Sequence, residues 1–430
     1  MSKYGYMTRA FQQMLQLAAI GATGHSIDVD CTDIDWKKVV ETAKKQKVDY
    51  FVAYALKMHP ELPCPSEIWA PLIKDARALI FSNAMHKTAI IQLLGEMEQA
   101  GIHGVLLKGY AIADCYALPE SRTCGDVDIW IDPKDEERAC EFMKKQGFTV
   151  DPRWKNGHHA VCNHPTLGCV ELHVILYDEI VEDVWFGKMD GSEFVIEPHH
   201  QVATPDGMYH TLGTTDHFIF LALHMIKHFI ISGLTVQMML DVALYFKKHK
   251  AEIDVDRFWN IINSLRYDKL LNSILWAMIS YCGFSKAELP GICAEAPEHV
   301  GMILSDLEEG GWMGYTDKQS REDGWQEYNR QLLMKKKSKT QYWLYMLRWK
   351  TDMYVKALFP SKRSLTAKYP FVSQYPFLIP WAWLHRLLFK GSKAVKNGAL
   401  TYYIIIDENQ ISKAGKCRIQ MFKKLEMLKD

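Results

Sequence analysis

The fold of this 430-residue chain can be worked out from one stretch, Ser121-Arg-Thr-Cys-Gly-Asp-Val-Asp-Ile-Trp-Ile131. Its second half alternates between acidic and apolar residues, which is the pattern of a strand with one buried face. Because successive side chains of a strand point to opposite faces, Asp126 and Asp128 share one face while Val127 and Ile129 point into a core. The stretch therefore predicts two carboxylates side by side on a buried strand.

A second stretch, Val170-Glu-Leu-His-Val174, repeats this alternation and places Glu171 and His173 on one face. If the two strands are neighbours, Glu171 adds a third carboxylate to the pair. Carboxylates that lie this close repel each other and raise the pKa of one of them unless a cation sits between them. Hard oxygen ligands of this kind suit Mg²⁺, which also binds substrate phosphates. We therefore expect a divalent cation at this point.

Upstream, Leu106-Leu-Lys-Gly-Tyr-Ala-Ile-Ala-Asp-Cys-Tyr116 contains a Lys-Gly pair at the end of an apolar strand. The residues at 111–117 have the composition of a helix, so the backbone amides at the turn are expected to face an anion at a helix N-terminus. A glycine at position 109 lets a phosphate approach the backbone closely. The turn therefore predicts a phosphate-binding element beside the carboxylates.

The periodicity of the apolar residues divides the chain into four regions and predicts the α+β class. Residues 1–100 form a helical lead-in, residues 101–205 a small mixed α/β domain, residues 206–300 a second helical domain, and residues 301–430 a helical and irregular C-terminal extension. We expect the second helical domain to complete a cleft with the sheet.

Charge and cysteine usage exclude several classes of protein. Lys plus Arg and Asp plus Glu both number 51, so the chain has no global basic field for non-specific nucleic-acid binding. The ten cysteines are scattered without a C-x-x-C pair, which is typical of reduced thiols in a cytoplasmic protein. The most apolar stretch, 375–384, is too short to cross a bilayer, so no transmembrane segment is expected.

The order of these features resembles the DNA polymerase beta-type nucleotidyltransferase superfamily. The strand, the Lys-Gly turn, the Gly-Asp-x-Asp strand and the Glu-x-His strand follow one another as they do there. The resemblance is closest to the poorly characterised bacterial branch called nucleotidyltransferase family proteins. It continues through Leu223-His-Met-Ile-Lys-His228 and Leu240-Asp-Val-Ala-Leu244, and covers about residues 75 to 280. A small mixed-sheet nucleotidyltransferase domain between helical segments is the fold that it implies.

The resemblance implies transfer of a nucleoside monophosphate, with AMP favoured, from a nucleoside triphosphate to an acceptor hydroxyl, with release of pyrophosphate. Two Mg²⁺ ions, or Mn²⁺ in their place, would be held by Asp126 and Asp128, and Glu171 would complete the ion nearest the acceptor. The acceptor is a small molecule, a protein or an RNA. The sequence does not distinguish among these three.

Further positions are assigned to the nucleotide and to the support of the metal ligands by the same resemblance. The nucleotide contacts are Lys108, Gly109, Arg122, Gly125, Lys227 and His228. We expect His173 to orient Glu171 rather than to bind metal, and His224 to support the ligands in the same way. The chain departs from the superfamily at position 110, where a tyrosine replaces the serine or glycine of the usual pair, so a hydroxyl that often contacts phosphate is missing.

Several of these residues have plainer alternatives. A position on the surface or a pair with Glu120 is as well supported for Arg122 as a phosphate contact. A role in helix packing is as well supported for Lys227 and His228 as a nucleotide contact. Asp241 is predicted to be a helix cap or an ion-pair partner rather than a ligand.

Two histidine groupings suggest metal sites that the spacing does not favour. His224 and His228 lie four apart on a helix, but Met225 stands where a zinc protease needs its glutamate. The residues His158, His159 and His164 with Cys162 lack a second ligand pair, and a loop between strands is predicted there instead.

Two rival functions remain open from the sequence. The first is a catalytically decayed protein that binds nucleotides and regulates. The second is an RNA-directed, toxin-like nucleotidyltransferase, which predicts a basic, exposed groove beside the strand of Asp126.

Overall fold

The computed structural model describes residues 7–29, 33–151, 159–176, 195–231, 233–309, 369, 371–385 and 420–427. The chain divides into two compact units, one formed by residues 1–316 with 420–430 and the other by residues 317–419. The second unit is described at position 369 and at 371–385, which include a one-turn helix at Phe371–Gln374. The predicted C-terminal extension at 301–430 therefore lies largely outside the described residues.

A seven-stranded mixed sheet is the centre of the first unit. Its strands are β1 (Gly104–Leu106), β2 (Asp126–Ile131), β3 (Thr149–Asp151), β4 (His159–His164), β5 (Gly168–His173), β6 (His200–Thr204) and β7 (Gly207–Thr211). The strand order is β3-β4-β5-β2-β1-β7-β6. The sheet ends at Thr211, so the domain boundary that we predicted at residue 205 falls inside the hairpin of β6 and β7. β6 has no buried residue and β7 buries only Tyr209 and Thr211, so the hydrophobic alternation of the hairpin is weak.

The two strands that carry the acidic residues lie side by side. β2 and β5 are parallel, and their register pairs Asp128 with Glu171 and Asp126 with Cys169. β1 runs antiparallel to β2 on its other side and parallel to β7. The expectation that the Glu-x-His strand neighbours the Asp-x-Asp strand is therefore confirmed.

A further helical segment is described at 420–424, and ten α-helices of the first unit lie within residues 7–309. They are α1 (Arg9–Thr23), α2 (Trp36–Lys45), α3 (Asp49–Met58), α4 (Ser66–Gln99), α5 (Glu136–Lys145), α6 (Thr214–Ile231), α7 (Val236–His249), α8 (Val255–Ser264), α9 (Asp268–Cys282) and α10 (Val300–Glu308). Helices thus precede and follow the sheet, and the α+β class is confirmed. In the described part of the chain, no helix is long and apolar enough to cross a membrane.

One face of the sheet is apolar and packs against α4 and α5. Ile90, Leu94 and Met97 of α4 share a buried cluster with Val127 and Ile129 of β2, and β5 and α5 contribute further apolar side chains. Burial of this apolar face stabilises the packing of the sheet against α4 and α5. It also leaves the opposite face of β2 and β5 for their polar residues, as the alternation predicts.

Candidate active site

Three carboxylates converge on the polar face of the sheet. Asp126 and Asp128 lie on β2, Glu171 lies on β5, and one carboxylate oxygen of each is within 4.8 Å of the others. The parallel register produces this arrangement, because it sets Glu171 directly beside Asp128. Such a group offers the hard oxygen donors that Mg²⁺ and Mn²⁺ prefer.

Lys108 lies between the two aspartates. Its Nζ is 3.1 Å from Asp126 Oδ1 and 2.9 Å from Asp128 Oδ2, and its side chain is 12% exposed. The residue follows β1, which is antiparallel to β2, so its side chain reaches across to the acidic pair. From the sequence we expected a cation between these carboxylates and assigned Lys108 to a phosphate. In the structure, the ammonium group of Lys108 is itself a cation at that position.

Asp128 is the most strongly perturbed of the three acids. Burial by itself raises the pKa of its carboxyl, but the charge of Lys108 and the hydrogen bond from His173 outweigh burial and hold the pKa well below its usual range. The same balance lowers the pKa of Glu171, where burial is opposed chiefly by the hydrogen bond from His173. Both groups are therefore carboxylates at neutral pH, the form that binds a cation.

His173 connects two of the acids. Its Nε2 is 2.9 Å from Asp128 Oδ1 and 3.4 Å from Glu171 Oε2. Burial lowers the pKa of this imidazole, but hydrogen bonds to the two carboxylates outweigh burial and raise the pKa. We expected His173 to orient Glu171. It contacts both carboxylates and lies nearer to Asp128.

His159 is a neighbour of Glu171 that the sequence interpretation missed. Its Nε2 lies 3.6 Å from Glu171 Oε1, and its ring centroid is 5.1 Å from that of His173. The loop that we predicted at His159, Cys162 and His164 is wrong, because these residues lie in β4, which pairs with β5; His158 lies outside the described residues. The inward residues of β4 are Ala160 and Cys162, whose small side chains give only a weak hydrophobic alternation.

A cleft of about 610 Å³ opens beside the acidic residues. The sheet side contributes Lys108, Gly125 and Asp126, while the surrounding helices contribute Tyr50, His224 and Gln237 among others. The volume is within the range of small-molecule sites in proteins. The helices before and after the sheet thus line a single cleft together with the start of β2.

The Lys-Gly turn has a different local structure from the one predicted. A 3₁₀-helix spans Gly109–Cys115 in place of the helix expected at 111–117. Gly109 has a φ of +64°, and a Cβ at this position would lie 2.2 Å from Cys124 Sγ. Glycine is therefore required here by backbone conformation and by close packing. At Gly125 a Cβ would meet no atom within 4 Å, so the backbone faces open space in the cleft.

Arg122 is buried and paired. Its Nε and Nη2 donate to Asp241 Oδ1 and Oδ2 at 3.1 and 2.7 Å, and Tyr116 donates to the same carboxylate. The surface position that we considered for Arg122 is wrong, since the residue is 5% exposed. Asp241 of α7 is an ion-pair partner, which is one of its two predicted roles. The pair joins the segment before β2 to the helical region and still lines the cleft.

The predicted residues of α6 separate into two groups. His224 lines the cleft, whereas Lys227 and His228 are not among its lining residues. The rings of His224 and His228 lie 4.6 Å apart. Burial, and then the charge of Lys108, lower the pKa of both imidazoles, that of His228 to about 4. Both histidines are therefore neutral near pH 7.

Comparison with known proteins agrees with this geometry. A family model described as an uncharacterised nucleotidyltransferase matches residues 32–282, more than half of the chain. No curated protein and no solved structure matches the chain. The matched range contains the whole sheet, the three converging acids and the Arg122–Asp241 pair, and the resemblance to nucleotidyltransferases is confirmed. The chain thus belongs to this family of nucleotidyltransferases, and is a transferase by that membership.

Proposed function

We propose that the protein transfers a nucleoside monophosphate, with AMP favoured, from a nucleoside triphosphate to an acceptor hydroxyl. The bond between the acceptor oxygen and the α-phosphorus forms, and the bond from that phosphorus to pyrophosphate breaks. The observation that carries this proposal is the convergence of Asp126, Asp128 and Glu171 within 4.8 Å of one another, with Asp126 also lining the cleft.

The donor set fits two divalent cations, Mg²⁺ or Mn²⁺. Such ions, when bound, neutralise charge on the triphosphate and favour deprotonation of the acceptor hydroxyl. Asp126 and Asp128 would hold both ions, and Glu171 would complete the one nearest the acceptor. His173 keeps Asp128 and Glu171 in place by its contacts to both carboxylates.

We assign the triphosphate to the cleft beside Asp126. Lys108, Arg122 and Gly125 line it, so these three have the best support among the predicted nucleotide contacts. Lys108 brings positive charge, and Gly125 leaves room for a phosphate to approach the backbone. Gly109, Lys227 and His228 remain assigned to the nucleotide by resemblance alone.

Nucleotide binding is the first part of the proposal to test. Thermal unfolding is measured with each nucleoside triphosphate, with and without Mg²⁺ or Mn²⁺, in the wild type and in Asp126→Asn. A ligand present at about 100 times its Kd stabilises the folded state by about 2.7 kcal/mol. We expect a metal-dependent increase with ATP that Asp126→Asn loses. No increase with any nucleotide would overturn the assignment.

The choice of variants follows from exposure. Asp126 is suited to substitution because 42% of its side chain is exposed, whereas Asp128 is buried against Lys108 and its loss endangers the fold. Asp206→Asn is the matched control, since it makes the same change in the exposed turn between β6 and β7. This control should retain the full increase in stability.

Transfer itself requires a second measurement. The protein is incubated with ATP labelled at the α-phosphate, Mg²⁺ and one of three acceptor pools: small hydroxyl compounds, proteins or RNA. Label transfer accompanied by pyrophosphate release in one pool, abolished by Asp126→Asn, is the expected result. Nucleotide binding without pyrophosphate release in any pool would favour the decayed, regulatory alternative.

One observation favours the alternative of a decayed, regulatory protein. The contacts of Lys108 with both aspartates neutralise charge that a metal ion otherwise has to neutralise. The RNA-directed alternative has weaker support, because the charged residues lining the described cleft are balanced. They are Lys44, Lys47, Lys108 and Arg122 on the basic side, and Asp49, Asp75, Asp126 and Asp241 on the acidic side.

A further inference from the structure

We propose a second metal site, of the zinc class, at the end of the sheet away from the cleft. Its ligands are Glu98, His103 and His210. One ligand atom of each lies within 4.8 Å of the other two. The site is independent of the proposed transfer reaction.

The three side chains come from separate elements that the sheet brings together. Glu98 is in the last turn of α4, His103 directly precedes β1, and His210 lies on β7. β1 and β7 are parallel, and their register pairs Val105 with His210. His103 Nδ1 is 3.2 Å from Glu98 Oε2, and the rings of His103 and His210 are 4.3 Å apart.

A third imidazole adjoins this group. The ring of His199 stacks on His103 with centroids 5.9 Å apart and an interplanar angle of 4°, and it also meets the edge of Trp130 at 5.5 Å. Burial, and then the neighbouring His103, lower the pKa of both His199 and His210. His199 thus adds an imidazole beside the three proposed ligands.

The ligand types select the metal. Two imidazoles and one carboxylate form the donor set of three-ligand zinc sites, in which a fourth position is left for water. Imidazole nitrogen suits Zn²⁺, Co²⁺, Ni²⁺ and Cu²⁺, whereas Mg²⁺ prefers oxygen. At the acidic site three oxygen donors converge, and His159 and His173 add imidazoles beside Glu171, whereas here two of the three donors are nitrogen.

A metal ion here would connect three elements. It would tie the end of α4 to the start of β1 and to the hairpin of β6 and β7, which forms one edge of the sheet. Because β6 is the edge strand and has no buried residue, the amides of the hairpin should exchange with solvent faster than those of β1 and β2. Binding should slow that exchange.

The test is titration of the tag-free protein with Zn²⁺ in the presence of excess Mg²⁺, followed by calorimetry. The wild type is compared with His103→Gln/His210→Gln and with His59→Gln. His59 is the matched control because its Nδ1 pairs with Glu61 at 2.8 Å but it belongs to no group of three metal-ligating residues among those described. We expect the wild type and the control to bind one Zn²⁺ at least tenfold more tightly than the double variant does.

Two further readouts report on this site. Co²⁺ bound through imidazoles at low coordination number absorbs visible light strongly, and the double variant should lose the part of this absorption that arises at His103 and His210. Zn²⁺ should also slow hydrogen exchange in β6 and β7. Glu98→Gln, at a side chain that is 54% exposed, should weaken binding without affecting folding. Equal Zn²⁺ affinity and equal Co²⁺ absorption in the wild type and the double variant would overturn the proposal.

Discussion

Among the single residues around the cleft, paired charges determine the local structure. Lys108 contacts two aspartates, and Arg122 forms a two-point contact with Asp241. Burial of an ion pair stabilises a protein little by itself, but the loss of one partner leaves a buried charge uncompensated. Variants at these positions therefore need to be interpreted for stability before they are interpreted for activity.

Replacement of Asp241 should reveal the cost of an uncompensated charge. Asp241→Asn leaves the buried Arg122 guanidinium with a neutral partner, so the free energy of unfolding should fall by about 3 kcal/mol. The double variant Arg122→Met/Asp241→Leu should lose less than Asp241→Asn. Urea denaturation measures both. As a control, Glu141→Gln, which breaks an exposed pair with Lys144, should change stability by about 0.5 kcal/mol at most. A loss below about 1 kcal/mol in Asp241→Asn would contradict this account.

Substitution by alanine should destabilise the protein at one of two glycines near the cleft and leave its stability nearly unchanged at the other. Gly109→Ala forces a Cβ to 2.2 Å from Cys124 Sγ at a φ of +64°, and should destabilise the protein by about 2 kcal/mol or more. Gly125→Ala adds its methyl group to open space and should change stability by no more than about 0.5 kcal/mol.

The second substitution also tests where the triphosphate binds. A methyl group at position 125 would stand in the cleft, so Gly125→Ala should weaken ATP binding at least tenfold, about 1.4 kcal/mol. Calorimetric titration with ATP and Mg²⁺ measures this. Unchanged affinity in a folded Gly125→Ala variant would place the phosphates elsewhere.

Among the secondary-structure elements, the N-terminal helices α1 and α3 are positioned by close helix packing. Thr8 caps the N-terminus of α1 by accepting a hydrogen bond from the amide of Phe11, and Gly24 caps its C-terminus in the left-handed conformation. Along α1, Gly21 touches the backbone of α3 at Phe51. α3 in turn provides Tyr50 to the cleft. The contact between α1 and α3 therefore helps to position one wall of the candidate site.

Gly21→Ala should disrupt this contact. A Cβ at position 21 would lie 2.0 Å from the carbonyl oxygen of Phe51, and backbone cannot move aside as a side chain can. We expect a loss of about 3 kcal/mol in the free energy of unfolding. The matched control is Gly95→Ala in α4, where a Cβ meets nothing within 4 Å and helix propensity should add about 0.5–1 kcal/mol. Similar urea midpoints for the two variants would refute the packing argument.

For the molecule as a whole, we expect the stability of the folded state to be sensitive to acid. His217 of α6 is buried, its Nε2 donates to the carbonyl of Leu107 at the end of β1, and its Nδ1 lies 3.1 Å from Thr211 Oγ1 of β7. Burial lowers the pKa of His217 to about 4. This histidine thus joins the helical region to the sheet in its neutral form.

The sign of the pH effect follows from this depressed pKa. Between about pH 6.5 and pH 4 the unfolded chain binds a proton at His217 that the folded chain does not, so stability falls as the pH decreases through this range. One such group contributes a slope of about 1.4 kcal/mol per pH unit. His217→Asn should therefore have a shallower decline than the wild type. Urea denaturation at several pH values from 7.5 to 4.5 measures it, and parallel curves for the two proteins would exclude His217 as a cause.

Local patterns in the sequence were sufficient for the central elements. The alternation in β2 and β5 predicted which residues are buried and which acids share a face, because the direction of a side chain along a strand depends only on its position. The helical periodicity on both sides of the sheet likewise predicted the α+β class. β4 escaped prediction because its inward residues are small.

Local patterns along the chain were therefore enough to place Asp126 and Asp128 together and to set a mixed sheet between helical regions. The position of Lys108 between the acids, the pairing of Arg122 with Asp241 and the contact of His159 with Glu171 became visible in the folded chain alone. Each of these contacts depends on strand order or on helix packing. These join residues that are distant along the chain, and no local periodicity encodes them.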